Sequence, residues 1–292
     1  MKFAFGFFLV FISLHLNSQP VGLHIAGGFA NYSGELQDKM LTLNQSQRLV
    51  SAGGTFNLSD KFALRGDLSI THLQGNDRYS KRPGVVNRNL SFKTSIKEVS
   101  LMGEYTLFVL EDTKISPYVF AGVGVFKFNP YTYDTLGRAY YLRFYSTEGQ
   151  GLKEYPDRKI YKEIQLNVPF GGGIKWALSD GILLFGEFSL RKLFTDYLDD
   201  VSATYVDRNI LLSQRGTVAV QLAYRGNEVK NNATPYPPDG TIRGNPKTKD
   251  WYYFTQLGIS FRLSWFNGGN FNSRKQHSNF NSRKLRLGCP PV

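Results

Sequence analysis

The sequence contains a single cysteine, Cys289, among 292 residues. One thiol excludes an internal disulfide framework and any metal site built from several cysteines. Histidine is nearly as scarce: His15, His24, His72 and His277. Acidic residues are outnumbered, 23 against 35 basic, and the net charge is +12. That imbalance points to an anionic surface or an acidic partner, and nucleic acid is the first class it suggests. Long apolar runs are missing as well. Beyond the N-terminal segment no stretch reaches the roughly 18 residues that a spanning helix requires.

The N-terminal segment carries an address. Met1–Ser18 has one Lys, then an apolar run of about fifteen residues, then Asn17-Ser18-Gln19, the pattern of a secretory signal peptide removed near Ser18. Export argues against nucleic acid as the partner. The signal contains no Cys, which excludes a lipoprotein anchor. An exported chain without a spanning helix is either soluble or a β-barrel.

What the chain does have is Gly, Phe and Tyr (29, 23 and 17 residues), set in a period of two. Trp251–Trp265 is the clearest case. One face is Tyr253, Thr255, Leu257, Ile259, Phe261, Leu263 and Trp265; the other is Tyr252, Phe254, Gln256, Gly258, Ser260, Arg262 and Ser264. Such alternation is a strand with one apolar side. Its length suits a tilted strand crossing a hydrocarbon core, with aromatic rings at both ends for the interfaces. The same pattern predicts strands over Val21–Asn31, Arg48–Leu58, Phe62–Thr71, Glu98–Leu107, Pro117–Phe128, Ile164–Trp176 and Ile182–Arg191. Both faces of Pro117–Phe128 are apolar or glycine, so its register stays open. Asn209–Tyr224 reads as one or two short helices inside the longest loop.

The connections alternate long and short, as in outer-membrane barrels with long extracellular loops, short periplasmic turns and an even strand count. The predicted fold class is therefore all-β, an eight-stranded antiparallel transmembrane β-barrel. It would occupy residues 19–266, in the outer membrane of a Gram-negative bacterium, with both termini periplasmic. A soluble sandwich or a lipocalin-like barrel is the competing architecture. It does not call for acids and bases opposite the apolar face. In a barrel this narrow the interior is filled by side chains. Arg65, Asp67, Glu98, Glu104, Lys175, Glu187, Arg191 and Arg262 should then pair inside, because a lone buried charge is costly.

Nothing in the sequence marks catalysis or a cofactor. Gly122-Val123-Gly124 and Gly171-Gly172-Gly173 lie inside predicted strands with no helix after them, so they read as sites of curvature, not phosphate cradles. His24 falls on an inner face and His72 at a strand's loop end, where packed or solvated roles are expected. A rim enzyme acting on lipid would need one of them against a Ser or Asp at the rim. The acidic group Asp196, Asp199, Asp200 and Asp207 has two readings: Ca²⁺ ligands, or loop caps paired with Arg191, Lys192 or Arg208. The second is preferred.

Ile115–Pro130 (ISPYVFAGVGVFKFNP), Thr147–Gly151 (TEGQG), Asn167–Lys175 (NVPFGGGIK), Arg191–Asp207 (RKLFTDYLDDVSATYVD) and Asp250-Trp251-Tyr252 go beyond a generic barrel pattern. Over roughly Val21–Phe266 they resemble the PorG-like outer-membrane barrels of Bacteroidota, which include a component of the type IX secretion system. Thr195, Asp196, Tyr197, Leu198, Asp199 and Asp200 carry most of the likeness. The resemblance implies a non-enzymatic accessory or anchor in outer-membrane lipid, with no cofactor. Its partners would be periplasmic ring proteins of a secretion apparatus that also serves gliding in some species. A small passive pore or a receptor is the alternative.

The chain continues past its last strand into a basic segment, Asn267–Val292, with Arg274, Lys275, Arg283, Lys284 and Arg286 and no acid. This composition predicts a flexible periplasmic tail. Its charges, with Cys289 as a free thiol or an intermolecular disulfide, are the expected contact with a periplasmic partner.

Overall fold

In the computed structural model the described residues are 21–37, 42, 44–229 and 234–263. The predicted signal segment 1–18, residues 264–266 of the predicted barrel, the basic segment with Arg274, Lys275, Arg283, Lys284 and Arg286, and Cys289 lie outside them. The elements in chain order are β1 (Val21–Ser33), β2 (Gln47–Asn57), β3 (Phe62–Asn76), α1 (Pro83–Arg88), β4 (Ser91–Thr106), α2 (Leu110–Thr113), β5 (Ile115–Lys127), β6 (Tyr131–Tyr133), β7 (Ala139–Tyr141), β8 (Ile164–Ala177), β9 (Ile182–Leu193), α3 (Arg208–Arg215), α4 (Thr217–Ala223) and β10 (Trp251–Arg262).

Eight strands form a closed antiparallel barrel in the order β3-β2-β1-β10-β9-β8-β5-β4, sealed by the pairing of β3 with β4. Chain order is thus preserved around the wall, and β10 meets β1 from Ser33↔Trp251 to Gly22↔Arg262. The small β6–β7 hairpin continues the ladder at one end, Lys93 against Tyr131. Short connections gather at one end of the barrel. The long ones, 34–46, 77–90, 128–163 and 194–250, gather at the other.

The pleat sorts the side chains. Leu23, Ile25, Val50, Leu68, Ile70, Val99, Leu101, Val123, Leu166, Ile174, Trp176 and Leu257 are exposed on the outer wall. An apolar band this continuous around a closed cylinder belongs in lipid, where a barrel satisfies every backbone group internally. The open register of β5 resolves with Val119, Val123 and Val125 outside and Tyr118, Phe120 and Phe126 inside. Tyr253 stands on the outer face yet is only 3% exposed. Its hydroxyl accepts the Thr42 N–H at 3.0 Å, so the loop after β1 folds over it.

Several strands run further than the periodicity suggests. The sequence predicts strands to Thr71 and from Glu98, whereas β3 extends to Asn76 and β4 starts at Ser91. Alternation persists there: Leu73 and Phe92 point inward while His72 and Lys93 are exposed. Above the apolar band the outer side chains face water, and the apolar–polar contrast that marks a strand disappears. The loop 129–161 likewise contains β6 and β7.

Narrowness sets the glycines. A Cβ on Gly122 would lie 2.0 Å from the Leu101 carbonyl oxygen, and one on Gly171 2.2 Å from that of Phe188. Neighbouring backbone occupies the space a side chain needs, so these positions bend the wall inward. Pro169 sits within β8, where Val168 and Pro169 make no ladder pair with β5, as expected of a residue with no N–H.

The lumen is filled by charge. Arg65 Nη1 donates to Glu187 at 2.7 Å and lies 3.4 Å from Glu104; Arg65 Nε is 3.3 Å from Asp67. Lys175 pairs with Glu104, and Arg191 with Glu98 at 3.3 Å. Tyr118 and Gln256 each donate to Glu187 at 2.7 Å. Arg65 stacks over Phe120 and Arg191 over Phe254, 4.6 and 3.6 Å from the ring centroids. His24 Nε2 is 2.8 Å from Asp67. Arg262 departs from the expected network. It lies half-buried at the short-turn mouth, beside Lys61 and Glu111 in the lining of that opening. Among the described residues it makes no ion pair, because β10 reaches the lumen's end there and water solvates the guanidinium.

Arg65→Met keeps most of the volume but strands Glu187, Glu104 and Asp67. The expected loss is about 3–5 kcal/mol, the usual cost of breaking a buried ion network from one side. Urea unfolding of the protein in lipid vesicles, followed by tryptophan fluorescence, measures it. Wild-type stability in the variant would show that the lumen charges are hydrated, not mutually neutralised.

Candidate functional site

At the long-loop end the strands open into a folded cap, and its centre is built from the segments singled out in the sequence. The loop after β9 carries Thr195, Asp196, Tyr197, Leu198, Asp199 and Asp200. Thr195 Oγ1 accepts the Tyr197 N–H at 3.2 Å and Asp199 Oδ1 accepts the Val201 N–H at 2.9 Å, side-chain turns that Thr and Asp favour. Asp200 takes a left-handed backbone, φ 66°, which Asp tolerates better than most residues. The result is a compact knot with Leu198 and Val201 driven into the apolar core.

Two other motif segments close on this knot. Thr147 donates to Asp200 Oδ2, and Glu148 accepts the backbone N–H groups of Ser202 and Ala203 at 3.0 and 2.9 Å. Asp250, next to the start of β10, accepts the Leu198 N–H at 3.0 Å. So TEGQG, TDYLDDVS and Asp250-Trp251-Tyr252, far apart in the chain, meet at one place. Arg243 fastens them from the last long loop. Its Nη1 donates to Glu148 at 2.9 Å and to the Asp200 carbonyl at 2.6 Å. Arg88 makes a bidentate pair with Asp77 at 2.7 and 2.8 Å and also donates to the Arg243 carbonyl. Beside this polar centre α3 and α4 pack Leu211, Ala219, Val220 and Ala223 against Leu152 and Val206. Two short helices match the expectation for 209–224.

The acids do not follow the expected pairing. Arg191 points into the lumen toward Glu98, and Lys192 and Arg208 are exposed. Asp207 instead caps α3, accepting the Asn209 and Ile210 N–H groups at 2.8 and 3.0 Å. Asp200 is held by Thr147 and by the Tyr161 hydroxyl at 2.8 Å. Asp196 and Asp199 turn to the other side and join two residues that sequence spacing does not connect to them. Glu35, Asp196 and Asp250 bring carboxylate oxygens within 4.8 Å of one another. Tyr32 donates to Asp199 at 2.5 Å and to Asp250 at 3.2 Å, which places a fourth carboxylate alongside.

This group is electrostatically unusual. Among the described residues none of the four carboxylates has a Lys, Arg or His within ion-pair distance. Burial, reinforced by the Asp196 charge, pushes Glu35 up to about 7. Burial likewise raises Asp196 to about 6. Asp199 and Asp250 are held well above the ordinary carboxylate range, by burial first and then by neighbouring acids. Asp250 had a signal in the sequence through its motif. Glu148 had one through TEGQG, whereas Glu35, Arg88 and Arg243 had none, since only the loop folding brings them in.

Among the described residues the histidines are His24 and His72. His24 meets Asp67 inside the lumen, with Phe185 edge-on at 5.7 Å. His72 is exposed on the outer face of β3, and His277 lies outside the described residues.

Burial also pushes Asp200 up to about 6, against the lowering pull of Arg243. With the folded value above the ordinary 3.8, its contribution to cap stability is full below that value and is lost as pH rises through about 6. Asp200→Asn cannot ionise. In EDTA the wild type should therefore lose about 1–3 kcal/mol more than the variant between pH 4 and pH 7.5. Near-ultraviolet circular dichroism melts of both proteins in micelles test this, and parallel pH profiles would refute it.

Among solved structures the barrel is similar to Neisserial surface protein A, at 8% identity and a TM-score of 0.41, over 83% of this chain and 97% of that one. It is also similar to Ail of Yersinia pestis, solved with the heparin analogue sucrose octasulfate, at 8% identity and 0.40, over 84% and 99%. The outer membrane protein OprG of Pseudomonas aeruginosa matches at 11% identity and 0.40, over 83% and 97%. A comparison with curated proteins finds no match. Residues 1–214 match the family described as "Domain of unknown function (DUF6089)", a span that takes in the signal segment, the barrel through β9 and the knot after it, and the chain belongs to that family.

Proposed function

We propose that this protein is a non-enzymatic anchor in the outer membrane, an accessory part of a type IX secretion apparatus. The observation that carries the reading is the lumen: Arg65 with Glu104 and Glu187, and Arg191 with Glu98, are buried ion pairs across the barrel's interior. A filled cylinder is suited to fixing something in the membrane and unsuited to passing solutes. The resemblance of the Thr195–Asp200 segment to PorG-like barrels supports the secretion role, and the motif segments that carry the resemblance meet in one knot. In this reading the long loops and cap face outward, and both termini are periplasmic. Asn267–Val292 supplies positive charge, and Cys289 a thiol, for a periplasmic ring partner.

Deletion of the gene should abolish export of type IX cargo and, in a gliding species, surface display of adhesins. Complementation with the full chain should restore both. Undiminished cargo in the deletion strain removes the secretion role. Purified protein in planar bilayers should show no conductance steps above background; stable open steps would favour the pore instead.

A further inference from the structure

We propose that Glu35, Asp196 and Asp250 form a calcium site in the cap. The reading is independent of the secretion role. It starts from atoms left without partners. Asp196 is 3% exposed; its Oδ2 accepts the Ser202 hydroxyl at 2.7 Å, while Oδ1, buried, has no hydrogen-bond partner. Glu35 shows the same division: Oε1 accepts the Asn245 N–H at 3.2 Å and Oε2 is buried and unpartnered. Asp250 is held through Oδ2 by the Leu198 N–H at 3.0 Å, and its Oδ1 has only the Tyr32 hydroxyl at 3.2 Å. Glu35 and Asp196 are thus each oriented by one donor with the second oxygen in reserve, and Asp250 has only a long contact on its second oxygen. That is how outer-shell donors hold metal ligands. An unpartnered buried carboxylate oxygen is otherwise expensive.

The dimensions admit a calcium ion. Oxygens bound to one Ca²⁺ at 2.3–2.6 Å stand no more than about 5 Å apart, whereas the shorter bonds of Mg²⁺ limit them to about 4.2 Å. The oxygens of the triad lie within 4.8 Å of one another, inside the span that one Ca²⁺ bridges. All the donors are oxygen, with no His or Cys, which disfavours zinc and copper. Asp199, bridged to Asp250 by Tyr32, adds negative charge beside the triad. A divalent ion would neutralise the acids that burial otherwise drives toward protonation. It would also tie the loop after β1 to the loop after β9 and to the start of β10.

The test uses the full chain refolded in detergent micelles free of lipopolysaccharide, stripped with EDTA and held at pH 7.5. Tb³⁺ serves as the probe, sensitised by the Tyr32 ring, and Ca²⁺ as the competitor. Ca²⁺ should displace Tb³⁺ with a dissociation constant of about 0.1–1 mM, as in other extracellular modules, and Mg²⁺ at least tenfold less well. Ca²⁺ should also raise the melting temperature of the wild type. Asp196→Asn and Glu35→Gln should weaken displacement tenfold or more, and Ser202→Ala, which only frees the Asp196 carboxylate to rotate, about tenfold. Asp134→Asn, at a half-buried acid of the β6–β7 hairpin, should bind as the wild type does. If Asp196→Asn does not fold, the wild type and Ser202→Ala still decide. No calcium effect on the wild type overturns the proposal, as does undiminished binding by both Glu35→Gln and Ser202→Ala.

Discussion

Charge that has been taken out of water must be neutralised where it lies, and this constraint governs both halves of the molecule. In the lumen it is met by the protein itself. Four carboxylates, Asp67, Glu98, Glu104 and Glu187, face Arg65, Lys175 and Arg191, with His24 against Asp67. Neutral donors supply the remaining hydrogen bonds: Tyr118 and Gln256 at Glu187, Asn167 and Tyr252 at Glu98. The network couples its members, since loss of any one strands its neighbours. It also explains the tight wall. Small residues at Gly122 and Gly171 let the strands close to a radius at which side chains from opposite walls can touch.

In the cap the same constraint is met only on one side. Arg243 and Arg88 balance Glu148 and Asp77, and the Asp200 carboxylate is held by two hydroxyls. A few residues away Glu35, Asp196, Asp199 and Asp250 gather with no cation in ion-pair contact among the described residues. The contrast within one cap, built by the same loops, is what gives the second cluster meaning. Excess buried acid can be relieved by protons or by an added cation, and the two remedies respond in opposite ways to rising pH.

The fold was legible because the bilayer imposes a strict contrast. Wherever a strand crosses the apolar band, Leu68 alternates with Asp67 and Leu101 with Ser100, and the period of two is plain. Past the band the outer residues become His72 and Lys93, the contrast is lost, and strand ends were read as loop although the pleat continues through Leu73 and Phe92. The lumen residues were legible for the same reason: a charged residue on the inner face has few alternatives to pairing. Arg262 escaped that logic because it stands at the mouth, where solvent is a partner. The cap was legible only as segments. TDYLDDVS and TEGQG could be recognised, but their mutual contact depends on tertiary folding. The expected partners of the acids, Arg191, Lys192 and Arg208, were inferred from proximity in sequence. In a strand that proximity is misleading, since Arg191 and Lys192 point to opposite sides of the wall.

Cap and lumen are not separate devices. Asp250 binds the knot at Leu198, and two residues on, Tyr252 donates to Glu98, which is the partner of Arg191. Arg191 in turn is four residues before Thr195, at the root of the knot. The path from the acidic group to the lumen network therefore runs through β9 and β10 with no flexible link. These strands pair along Tyr252↔Arg191 and Phe254↔Ser189, so a shift at one root is shared by the other. A barrel joined to its cap in this way holds a surface in fixed orientation to the membrane. That property serves an anchor directly, whereas a gated pore would need the lumen charges to separate, at several kcal/mol for each broken pair.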